Sequence, residues 1–101
     1  MTFRPLGIAR EVVEEIGLEV VYAYEDLVFV EHNAFHLQFD DRQQNNLKVF
    51  FNRECEPETA AHLELKLTIA AQARKFTIEN AGQFELLAKE GSSDFDVRYL
   101  S

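Results

Sequence analysis

Two histidines four residues apart, His32 and His36, sit in the stretch VEHNAFHLQFDD, with Glu31 ahead of them and Asp40 and Asp41 behind. On a helix, residues four apart share a face, and a histidine pair so placed can bind one zinc ion. The surrounding pattern argues for another geometry. Phe35, Leu37 and Phe39 alternate with His36, Gln38 and Asp40, which is the period of a strand. A turn falls between the histidines. The register that follows sends His32 toward the core and His36 to the opposite face, so no shared metal is expected. It also sets Glu31 opposite His36, a cross-strand pair worth about 0.2–1 kcal/mol. A carboxylate neighbour raises the folded-state pKa of an imidazole, so this pair predicts stability that is present at low pH and fades as pH rises through that pKa.

The other reactive side chains stand in poor settings. The single cysteine, Cys55, lies between Glu54 and Glu56, and acidic neighbours disfavour the nucleophilic thiolate. His62 is a lone histidine in TAAHLELK, at no spacing known from zinc sites. The carboxylate pairs Asp40–Asp41 and Glu14–Glu15 fall in a polar loop and on a charged helix face, not in the apolar setting that raises the pKa of a general acid. DDRQQNN lacks the ligand spacing and central glycine of a calcium loop. There is no phosphate-binding glycine loop, nucleophile elbow or H-E-x-x-H helix. No serine precedes Ser92. No catalytic residue, metal or cofactor is expected, and an enzyme is the weaker expectation.

The 101 residues suit one α+β domain, 1–101. Hydrophobic residues make up 47%, enough for a core. With nine Phe and no Trp, most rings should be buried. The net charge of −8 argues against nucleic acid, which is bound by neutralising phosphates, and against anionic membranes. No apolar run approaches the roughly 18 residues of a membrane span, no signal-peptide pattern opens the chain, and one cysteine allows no internal disulfide. The expected compartment is the cytoplasm.

The elements follow from periodicity. Pro5, the stripe Leu6, Ala9, Val12, Val13, Ile16 and the terminating Gly17 predict an N-terminal helix. Strands are expected near 19–24, 27–32, 35–40 and over NLKVFFNR, joined as a four-stranded antiparallel meander. Matching apolar to apolar pairs Tyr24 with Leu27, Tyr22 with Phe29, Val21 with Val30, then Val30 with Leu37, Val28 with Phe39, and Leu47, Val49, Phe51 with Phe39, Leu37, Phe35. A second helix, about 57–75, follows from Pro57 and the alanines, with Leu65 and Ile69 widening its apolar arc toward a second buried surface. Short strands are expected at Phe76–Glu79, Phe84–Lys89 and Phe95–Leu100, with NAG and GSSD as turns and a short helix as the alternative for GQFELLAKE. The helices should cover one sheet face, lined by Val21, Ala23, Val28, Val30, Phe35, Leu37, Phe39, Leu47, Val49 and Phe51.

The other face is the informative one. Val20, Tyr22, Tyr24, Leu27, Phe29 and Phe50 share it with Glu31, His36, Gln38, Asp40 and Lys48. Contiguous exposed groups of this size mark a partner or ligand surface, unless the C-terminal segment folds over them. The expectation is a non-enzymatic interaction protein, homodimeric or bound to a protein partner. Size, acidity and the order helix–strands–helix–strands are similar in kind to the small dimeric chaperones of bacterial secretion systems; the resemblance is architectural and implies a chaperone- or adaptor-like role. The alternative is a small-ligand or metal site built from Tyr22, Tyr24, His36 and Glu31.

Overall fold

The computed structural model describes residues 4–88, 91 and 95–100. It is an α+β fold: α1 (Leu6–Glu15), β1 (Val20–Tyr24), β2 (Leu27–Val30), a 3-10 turn (Glu31–Asn33), β3 (Phe35–Phe39), β4 (Asn46–Asn52), α2 (Pro57–Gln72), β5 (Thr77–Ala88) and β6 (Phe95–Leu100). The strands form one six-stranded sheet in chain order, β1 to β6. Neighbours pair antiparallel except β4 and β5, which are parallel. The antiparallel meander is therefore part of a larger mixed sheet. Among the described residues no helix is long and apolar enough to cross a membrane.

One face of the sheet holds the core. Val28, Val30, Phe35, Leu37, Phe39, Leu47, Val49 and Phe51 pack there with Ala9, Val12 and Val13 of α1 and Leu67, Ala70 and Ala71 of α2. Gly17, at φ 89°, takes the left-handed conformation that ends α1. Arg74, just past α2, ties the helices together by pairing with Glu15 at 2.9 Å and Glu11 at 3.4 Å.

The parallel pairing of β4 and β5 requires a crossover, and α2 supplies it. Its 16 residues span about 24 Å, close to the roughly 23 Å of the seven-residue β4. The chain thus returns beside Asn46, where the Thr77 N–H donates to the Asn45 carbonyl at 2.8 Å.

The structure revises several sequence expectations. β2 and β3 pair Val28 with Leu37 and Phe29 with His36, two residues from the expected register. The cause is the connection: His32 (φ 67°) and Asn33 (φ 53°) are both left-handed, and the longer turn uses up residues assigned to strands. A shift of two keeps every side chain on its face but separates Glu31 from His36. His32 lies in this turn, exposed, not on the core side. A bulge in β1 pairs Val20, instead of Val21, with Val30. Val20 then packs against the core, while Val21 and Ala23 are exposed. The two C-terminal strands expected before GSSD are one strand, β5, and neither a turn at NAG nor a helix over GQFELLA forms; Lys89, Ser92, Ser93 and Asp94 lie outside the described residues. NAG is a bulge. Asn80 sits opposite Val49 and Gly82 opposite Phe50, leaving Ala81 as the extra residue. Gly82 is required there: φ is 129°, and a Cβ would stand 3.1 Å from the Leu100 carbonyl oxygen.

α2 ends at Gln72, and the wider arc on it is not buried: Leu65 and Ile69 are 58% and 59% exposed. Leu67, fully buried, is the core anchor. Leu67→Ala should therefore destabilise by about 2–5 kcal/mol, whereas Leu65→Ala should stay within about 0.5 kcal/mol, read from urea midpoints of the two variants.

Candidate aromatic interface

The bulge at Ala81 has a consequence for the opposite sheet face. Before it, Ile78 and Asn80 point to the helix side, Ile78 packing on the core and Asn80 donating to the Glu64 carboxylate of α2 at 2.8 Å. The extra residue inverts the alternation. Phe84 then lands on the face away from the helices, where it is buried at 2% exposure beside His36. Its partner across β6 is Tyr99, which reaches the same histidine.

His36 is the centre of this face. Its ring lies 4.4 Å from Phe84, 5.2 Å from Phe29, 5.4 Å from Phe50 and 5.5 Å from Tyr99, centroid to centroid. The row continues outward through Tyr22, 6.1 Å from Phe29, to Tyr24, stacked on Tyr22 at 6.3 Å. Rings thus run across the sheet from β1 to β6. Tyr22, Tyr24 and Tyr99 are 58%, 56% and 44% exposed, Phe29, Phe50 and Leu27 half-buried. Both helices pack on the other side, and the C-terminal strands lengthen this face rather than covering it.

His36 is itself buried, at 1% exposure. Its Nε2 lies 3.1 Å from the Tyr99 hydroxyl, and its buried Nδ1 has no hydrogen-bond partner among the described residues. Burial among rings disfavours the imidazolium and lowers the pKa to about 4. The expected rise from Glu31 is overturned in direction and cause. Glu31 instead accepts the Glu19 backbone N–H at 3.0 Å and lies 3.7 Å from His32. The Tyr99 hydroxyl is pushed up, first by burial and then by the negative charge of Asp26.

Of the expected surface, Tyr22, Tyr24, Leu27, Phe29 and Phe50 share this face, and Val20 leaves it. Phe84 and Tyr99 are additions. The Phe95–Val97–Tyr99 alternation marks a strand in the sequence, but its face depends on the bulge. Gln38 is held by Asp26, donating to its carboxylate at 2.7 Å.

The remaining reactive groups lie apart from the aromatic row. Cys55 is half-buried in a shallow cavity of about 220 Å³ with His32 and Asn52, and His62 does not line it. Burial, and then Glu56, push its thiol pKa up. A larger cavity, about 580 Å³, lies between Arg53, Glu54, Glu85 and Leu86. Another, about 500 Å³, is bordered by Asp26, Asp40, Lys48 and Glu79. Among the described residues no group of three His, Cys, Asp or Glu side chains is placed to hold a metal ion.

The buried imidazole sets a pH dependence. Its folded pKa lies below the unfolded value of about 6.5, so the unfolded chain takes up this proton first. Stability should be unaffected by His36 above that value and fall as pH drops toward about 4, by an amount on the order of 3 kcal/mol. Urea unfolding between pH 7 and 4.5 should show this slope, and His36→Phe should flatten it. Compared with family models, with curated proteins and with solved structures, the chain matches none.

Proposed function

We propose that the protein is a non-enzymatic interaction protein that associates with a second copy of itself through the aromatic sheet face, in a chaperone- or adaptor-like role. The observation that carries this is the row of rings from Tyr24 to Tyr99 on the face opposite both helices. Large exposed aromatic groups are enriched at protein interfaces, and Tyr gives wide contact area with a polar tip. Among the described residues, the rings around His36 hold no charged side chain between them, since burial keeps His36 neutral, and Lys48 and Glu79 lie in the next row. Two chains of net charge −8 can therefore meet there without setting carboxylates against each other. A two-fold dimer needs one self-complementary patch, and a continuous stripe of rings meets that need.

The ligand-site reading has less support. Glu31 is separated from the histidine, and the cavities of about 580 and 500 Å³ centre on polar groups at the margins of the sheet.

Molar mass by light scattering on a sizing column tests the proposal. The wild-type chain should run as a dimer. Tyr22→Asp with Tyr24→Asp should give a monomer that keeps its far-UV signal, because both side chains are already half in solvent. Leu65→Asp, on the exposed side of α2, should leave the dimer intact. A wild-type monomer at all concentrations, or a tyrosine variant that stays dimeric, overturns the reading.

A further inference from the structure

The sheet ends at β1, which pairs with β2 alone. Four of its five residues are exposed, and the packed core draws no fully buried residue from it. Ala23 stands clear on the helix side, Tyr22 and Tyr24 on the aromatic side, and the bulged Val21 is exposed. The strand projects with both faces and one edge open. The turn at Glu25–Asp26 makes Tyr24 and Leu27 the closing pair of a two-residue hairpin, and such a pair exchanges both of its backbone hydrogen bonds. The alternate residue, Ala23, therefore directs its N–H and carbonyl off the edge. Natural sheets blunt their edges with Lys, Pro, inward charges or bulges. VVYAY has the bulge at Val21 and none of the others.

Charge selects the occupant. At one end of β1 stand Glu14 and Glu19, with Arg10 beside them, and Glu31, hydrogen-bonded to the Glu19 backbone. At the other stand Glu25, Asp26 and Asp41, with Arg4 paired to Asp41 at 3.0 Å. The first end thus has three carboxylates against one arginine, and the second, where Asp40, Glu79, Arg42 and Lys48 border the same cavity as Asp26 and Asp41, has five against three basic groups, so both ends are net acidic. Antiparallel pairing with a second copy centred on Tyr22 would set Glu19 against Glu25 at both ends, and directly opposed like charges destabilise a sheet. A strand with basic ends meets opposite charge at both. We propose that the open edge of β1 takes up an extended peptide as a seventh strand, one with alternate apolar or aromatic residues and Lys or Arg at its ends. Main-chain hydrogen bonds would supply affinity, and the acidic ends selectivity.

The test uses the full chain and a synthetic peptide of about ten residues, alternating valine and threonine between paired lysines, with a glutamate-ended peptide as control. Calorimetry should show the lysine peptide binding at least roughly tenfold more tightly than the control, and less tightly as salt rises. Hydrogen exchange should show new protection at the Ala23 amide. Ala23→Pro removes the outward N–H at an edge position where proline is tolerated, and should weaken binding at least roughly tenfold with the far-UV spectrum unchanged. If that variant fails to fold, Glu19→Gln with Glu25→Gln, at exposed positions, should weaken the lysine peptide alone. No binding, equal binding of the two peptides, or binding without protection at Ala23 overturns the proposal. So does an Ala23→Pro chain that turns from dimer to monomer, which would assign the edge to a second copy. The self-association reading stands or falls separately, on the mass of the tyrosine variant without peptide.

Discussion

The parallel pairing of β5 with β4 is the constraint on which the rest of the structure depends. Asn46, a buried polar residue at the start of β4, anchors it. Its amide donates to Asp40 at 3.2 Å and to Glu79 at 2.9 Å, and its carbonyl accepts the Thr77 hydroxyl at 2.8 Å. A buried amide with all three bonds made is favourable, whereas an unsatisfied one costs about 1–3 kcal/mol. One side chain thus joins the loop before β4 to the first residues of β5. With β5 held there, the C-terminal strands add to the sheet. Had the chain turned back over the aromatic face instead, a third layer would cover the rings and no open surface would remain.

The second consequence is chemical. Burying an imidazole beside one hydroxyl and four rings leaves it neutral over the ordinary pH range. A neutral, ring-lined centre behaves as apolar surface, so the histidine contributes area rather than charge. The residue that looks most like a catalytic or metal-binding group in the sequence is, in the fold, part of a packing layer. His32, its apparent partner, lies in solvent on a left-handed turn.

What could be read from the sequence follows the range of the determining interactions. The Glu25–Asp26 hairpin and the pairing of Leu47, Val49 and Phe51 with β3 follow from local alternation, and the structure has both. The β2–β3 register differs because two non-glycine residues adopt positive φ, a choice that composition does not signal. Val20 and Val21 exchange roles through a bulge. Phe84 and Tyr99 could not be assigned to the aromatic face, because their side of the sheet depends on one extra residue, Ala81, in a stretch whose Asn and Gly read as a turn. Leu65 and Ile69 misled in the opposite sense: they widen the apolar arc of the expected helix, which suggested a second buried surface where the helix faces solvent.

The strand order has a consequence for how the molecule is made. Each strand lies beside its neighbour in the chain, so the four antiparallel ladders close over local segments, while the parallel β4–β5 ladder closes only across the α2 crossover. The antiparallel ladders keep loop-closure costs low, and the parallel pairing is the slow one to form. Emerging from a ribosome, the first helix and four strands could assemble before α2 is complete. During that interval the central β4 is temporarily an edge, its unpaired backbone flanked by Phe50 and Phe51. Until β5 pairs with it, β4 presents an open edge of the kind that makes incompletely folded chains prone to mispairing.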